Sequence, residues 1–269
     1  MHLLVMGDLE FLGHHAAAAA LGQGHRVTVL ADAEGHGSTL EGALVVDSVT
    51  DGSWDAVLVA GGRTPGRLPE VPVVGWFGDA AATPPPEATV SVRVADPVGP
   101  RDPSDRFTYW PLRLARAVAG TREGPVLVPG DPDHEVRLSD ARDVADWVVR
   151  LLDEGVRGEF DVAGPGSPTT LREVLTACLA ASDGDPDAVE LVWVDQDFLA
   201  GELPPQERPL WFDEGWGGTS VPAGLEFRPV EQTARDTMVW AWDHAIADGL
   251  DQGVPADREQ ELITAWRAR

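Results

Sequence analysis

The chain has 269 residues, 43% of them hydrophobic, a formal charge of −25 at pH 7 and one cysteine, Cys178. Such acidity argues against nucleic acid and anionic membrane as partners, no apolar run reaches membrane-spanning length, and a lone thiol excludes an intramolecular disulfide; a cytoplasmic globular protein is expected. All 20 basic residues are arginine, which removes Schiff-base chemistry, P-loop phosphate binding and tyrosine–lysine proton transfer.

The apolar run 3–6 meets a glycine at Gly7, a second follows at Gly13, and the alanine-rich stretch 16–21 has high helix propensity. A buried strand turning sharply into a helix predicts a dinucleotide-binding unit, with Gly7 and Gly13 framing a pyrophosphate cradle. Asp8 and Glu10 lie inside that turn. Each carboxylate would oppose a pyrophosphate by about 1 kcal/mol or more, against a helix-terminus attraction of roughly 0.3–1 kcal/mol. Residues 25–30 read as a second strand, and Asp32 follows its C-terminal end. There it would either accept a ribose 2′-hydroxyl and repel a 2′-phosphate, favouring NAD over NADP, or serve as a turn residue.

Runs 43–47, 54–60, 71–77 and 89–95 are four more short apolar strands, as expected of a parallel sheet buried on both faces. Parallel crossovers normally carry a helix, yet the links after the fourth and fifth strands are short, and Pro84-Pro85-Pro86 forbids one. One sheet face is therefore expected to lack helices and to need cover from a partner subunit, the C-terminal region or a ligand.

Further along, 108–119 carries a helical stripe, 126–128 is a short strand, and 141–153 is an amphipathic helix. Residues 160–162 form a strand, Thr169 is expected to cap a helix over 171–181, and 191–194 is a strand. The Pro/Gly/Trp-rich stretch 198–218 reads mostly as loop, and 230–247 and 257–269 as helices. The fold class expected is α/β: a Rossmann-like parallel sheet with reduced helices on one face plus a small C-terminal α+β lobe. The division is residues 1–165, truncated between strands three and six, and 166–269 as a substrate lobe, with some chain exchange between them.

The chain resembles the extended, epimerase/dehydratase-like branch of the short-chain dehydrogenase/reductase superfamily. The resemblance rests on GDLEFLG (7–13), GHRVTVL (24–30), WDAVLVAGG (54–62), VRVADPVGPRDPSDRFTYWPLRLAR (92–116), HEVRLSDARDVADWVVRLLDEGVRGEFDVAGPG (134–166), LEFRP (225–229) and REQELITAW (258–266). It implies a cofactor-binding set of Gly7, Phe11, Leu12, Gly13, Asp32, Asp47, Ala60 and Gly61. It also implies a serine or threonine after the fifth strand and a Tyr-x-x-x-Lys helix, and both are missing: the strand runs into Gly78-Asp79, and 80–88 is AAATPPPEA. Tyr109, the one tyrosine, stands in a later segment without a lysine.

Loops after strand C-termini are where open α/β sheets bind ligands. Asp79 or His134 as the proton-transfer group, with Tyr109 and Arg106 orienting a substrate, is the catalytic set such placement suggests. His14 and His15 are adjacent, so they diverge on a helix, and no metal is expected. Three functions fit: a cofactor-independent isomerase, cyclase or lyase acting on a small organic or secondary metabolite; a non-catalytic ligand-sensing or partner-binding pseudoenzyme; and an NAD-dependent oxidoreductase with substituted catalytic groups. The first requires no cofactor. A homo-oligomer or a protein partner over the bared sheet face is expected.

Overall fold

The computed structural model describes residues 1–31, 40–49, 52–61, 68–79, 82–121, 124–182, 185, 187, 189–204, 220–244 and 253–269. In chain order the elements are β1 His2–Gly7, α1 Leu12–Gly22, β2 Arg26–Leu30, β3 Leu44–Val46, β4 Ala56–Ala60, β5 Val73–Asp79, β6 Val90–Val94 and β7 Pro97–Val98. They continue with α2 Tyr109–Val118, β8 Val126–Pro129, β9 Glu135–Val136, β10 Ser139–Asp140, α3 Ala141–Asp153, β11 Gly158–Val162 and β12 Thr169–Thr170. The last are α4 Leu171–Ala181, β13 Leu191–Val194, α5 Gln196–Glu202, α6 Val230–Asp243 and α7 Ala256–Arg267. No described helix is long and apolar enough to cross a membrane.

The chain divides into two units. The first comprises Met1–Pro97, Leu138–Gly166 and Trp216–Phe227; the second comprises Val98–Arg137, Ser167–Gly215 and Arg228–Arg269. The chain passes between the units repeatedly, and residues 98–137 belong to the second.

The first unit is a seven-stranded sheet in the order β11-β6-β5-β4-β1-β2-β3, every pair parallel. Side chains alternate between faces with a period of two. Leu3, Val5, Val27, Val29, Leu58, Phe77, Val92 and Val162 point to the face covered by α1 and α3, which pack against each other. Asp140 starts α3 by accepting the Arg142 N–H, so Val144, Trp147, Val148 and Leu151 fall on the buried side.

The opposite face carries Leu4, Met6, Val57, Val59, Val74 and Trp76, all buried. Its links bear no helix among the described residues. The cover nevertheless comes from the chain itself, because Val49, Trp54, Leu68, Val71, Ala82 and Ala88 pack onto it. Trp76 also lies along this face: its indole folds over Gly78, where a Cβ would lie 2.3 Å from the ring, and its Nε1 donates to the Gly61 carbonyl at 2.9 Å. One large flat side chain thus covers part of the face that a helix would otherwise cover.

In the second unit β13 runs parallel to β8, α7 packs on both strands, and α2, α4 and α6 pack together. Thr170, one residue beyond the expected Thr169, caps α4 through a full capping box with Glu173. Residues 196–202, overlapping the start of the stretch expected as loop, form α5, capped by Asp195. Helix α6 ends at Asp243, short of the expected 247. The two-strand core is tied to the helices by a buried ion pair. Arg113 and Glu259 are each 1% exposed; Arg113 Nε and Nη2 donate to Glu259 Oε2 at 3.1 and 3.0 Å, and the Leu127 N–H donates to Glu259 Oε1 at 3.1 Å. Removing one member of such a pair strands a buried charge. Glu259→Ala is therefore expected to lower stability by about 3–5 kcal/mol, measured as a reduced midpoint in urea unfolding.

Candidate functional site

The turn between β1 and α1 is built on close backbone approaches. Gly7 has φ +97°, and a Cβ there would lie 2.1 Å from the Ala60 carbonyl oxygen; a Cβ at Gly13 would lie 2.1 Å from the Asp8 carbonyl oxygen. Both glycines are thus demanded by the turn itself, as the motif predicts. What the turn holds is its own side chain. Asp8 Oδ1 accepts the N–H groups of Glu10 and Phe11 at 3.0 and 3.1 Å, and Oδ2 accepts that of Leu12 at 3.2 Å. The Gly13 N–H donates to the Asp8 carbonyl at 2.7 Å, and the Asp8 N–H to the Ala60 carbonyl at 2.9 Å. Four successive amides, 10 to 13, therefore converge on one residue.

Those are the donors that a diphosphate would use at a helix N-terminus. A dinucleotide would have to displace the Asp8 carboxylate from three N–H groups and then sit beside it. The residues present do not fit that group. The sequence counts Asp8 as a repulsive charge; the structure makes it the cap of α1. The signal was legible, since aspartate readily accepts backbone N–H groups two and three residues onward.

The remaining cofactor-binding candidates divide. The side chains of Phe11 and Leu12 are buried in the core beneath α1, so only their amides face the turn. Ala60 is fully buried and Gly61, with φ +73°, gives its N–H to the Phe77 carbonyl at 2.8 Å. Asp47 is exposed just beyond β3, and Asp32 lies outside the described residues.

The four catalytic candidates do not share a unit. Asp79 belongs to the first, exposed at the end of β5, with its Oδ1 accepting the Ala82 N–H at 3.0 Å. Arg106, Tyr109 and His134 belong to the second. Tyr109 is 4% exposed, edge-on to Trp110, with Gly253 closely packed against its ring. Arg106 is half-buried three residues before it, and His134 is exposed.

Sequence reasoning passed over the acid in the middle of this loop. Asp102 is buried; its Oδ1 accepts the Ser104 N–H at 2.9 Å, and its Oδ2 has no partner among the described residues. Burial pushes its carboxyl up to about 6, opposed by hydrogen bonds from Ser104 and the Arg106 charge and reinforced by Asp105. The backbone around it is strained: Asp96, Arg101 and Asp105, with φ of 42°, 71° and 53°, are the non-glycine residues with left-handed backbone among those described. Such strain gathers at ligand-binding and catalytic sites. Thr108 Oγ1 and Trp110 Nε1 are likewise buried without a partner among the described residues. Nothing in RDPSDRF announces this, because burial of a loop acid depends on what folds over it. Cys178, by contrast, is a core thiol whose burial raises its pKa, with no sign of nucleophilic use.

No family model matches the chain, and no curated protein matches it in sequence. Solved structures do match. The Bordetella bronchiseptica enzyme WbmH in complex with NAD+ superposes with a TM-score of 0.56 at 16% identity, over 91% of this chain and 99% of that one. RMD from Pseudomonas aeruginosa complexed with NADPH gives 0.56 at 16% identity, over 90% and 99%. UDP-glucose-4-epimerase from Stenotrophomonas maltophila, with bound NAD, gives 0.56 at 15% identity, over 92% and 99%. The chain thus shares the α/β, Rossmann-like fold of these enzymes.

Two measurements follow from this geometry. Gly13→Ala is expected to destabilise the protein by at least about 1–3 kcal/mol in cofactor-free buffer, read by thermal unfolding. The Asp102 carboxyl binds its proton more tightly when folded, so its contribution to stability is complete below about pH 4 and lost as pH rises through about 6. That contribution is about 3 kcal/mol. Urea unfolding between pH 4 and 7 should show the decline in the wild type and a flatter profile in Asp102→Asn.

Proposed function

We propose that this chain is an enzyme that has left redox chemistry on the extended short-chain dehydrogenase/reductase fold. It binds a small organic molecule and moves a proton on it, in an isomerisation, cyclisation or elimination that needs no nicotinamide. The observation that carries this reading is Asp102, a buried carboxyl held at about 6 with one oxygen lacking a hydrogen-bond partner among the described residues, in a stretch of left-handed backbone. A group that titrates near the working pH can both take and return a proton.

Three features support the absence of hydride transfer. The chain has no lysine, its one tyrosine is packed in the interior, and the amides of the nucleotide turn are taken by Asp8. In this reading Asp102 is the proton-transfer group and Arg106, on the same loop, orients the substrate; Asp79, His134 and Tyr109 are displaced from the roles that the sequence suggests.

Exchange with heavy water tests the reading without a known substrate. A panel of small carbonyl compounds incubated with the protein in deuterium oxide should include one whose C–H signal decays in proton NMR. Asp102→Asn should slow that decay by about a hundredfold or more. Turnover of NADH or NADPH by the pure protein with any member of the panel would overturn the reading.

A further inference from the structure

We propose that Asp8 is the residue that excludes a dinucleotide from this fold: an internal carboxylate standing where a cofactor diphosphate would stand, and completing the turn without one. This deepens the reading of a nicotinamide-independent protein and rests on it.

The frame of the turn is kept and its occupant is changed. Gly7 and Gly13 retain the close backbone approaches of a phosphate-binding turn. Yet the amides of Glu10, Phe11 and Leu12 are hydrogen-bonded to the Asp8 carboxylate and that of Gly13 to the Asp8 carbonyl. The end of β4 is shaped for the same side chain, because a Cβ at Gly61 would lie 2.9 Å from the Asp8 Cβ. A glycine there makes room for the root of Asp8. Helix α1 has no acidic residue in its first turn and no side-chain bond from its N-cap residue, Phe11, so Asp8 supplies the negative charge that its N-terminus favours. A diphosphate entering the turn would meet that charge and lose the donors it needs.

Titration calorimetry with NAD+ on the wild type, Asp8→Gly and Asp8→Asn tests this, alongside thermal unfolding of Asp8→Ala. The expectation is that Asp8→Gly binds NAD+ at least about tenfold more tightly than the wild type, and Asp8→Asn, which keeps the size and removes the charge, by a smaller gain. Asp8→Ala, which loses the cap, should melt lower by about 2–4 °C. If Asp8→Gly does not fold, Asp8→Asn alone decides: a gain supports the assignment and no gain overturns it. Equal affinity in wild type and variants also overturns it. Both failures leave the non-redox reading standing, since that falls only to hydride turnover by the wild type.

Discussion

Four consecutive amides at the start of the first helix all end on Asp8, and the organisation of the first unit follows from that convergence. The bonds tie the end of β1 to the start of α1, which packs with α3 over one face of the sheet. Unpaired N–H groups at a helix terminus otherwise need a ligand, water or a cap. A side chain four positions or fewer away is always present, whereas a cofactor must bind from solution. The amides of this turn are thus met from within the chain, on a fold like that of WbmH and RMD, whose structures hold NAD+ and NADPH.

Charge is handled differently in the second unit. Arg113 and Glu259 bury opposite charges against each other, with Glu259 also holding the β8 backbone, so neither is left bare in a low-dielectric interior. Asp102 is buried without a cation bonded to its second oxygen, and its carboxyl accordingly holds a proton to higher pH. A paired buried charge supports a fold. One whose second oxygen lacks a partner among the described residues, near three residues of left-handed backbone, is a cost to the fold.

The thinned side of the sheet shows a third economy. Two links with no described helix leave strands whose side chains must still be covered, and the chain does this with loop residues and with Trp76 folded along its own strand over Gly78. Tryptophan suits the task because it carries a large flat apolar surface and one N–H, here given to Gly61.

Much was legible in the residues alone. Apolar runs of four to seven residues, set off by glycine and proline, marked the strands of the parallel sheet, and the stripe Val144, Trp147, Val148, Leu151 marked α3, because period and composition are local properties of the chain. The missing lysine was also visible, since a residue absent from the sequence is absent everywhere. What the tertiary structure decided was where each charge ends up. Asp8 reads as repulsion in a list of residues and becomes a cap only when the turn folds its carboxylate onto three N–H groups. Asp102 reads as one acid among several in a polar loop until burial sets it apart. Desolvation and hydrogen-bond geometry belong to the folded surroundings of a group, and no local pattern of sequence encodes them.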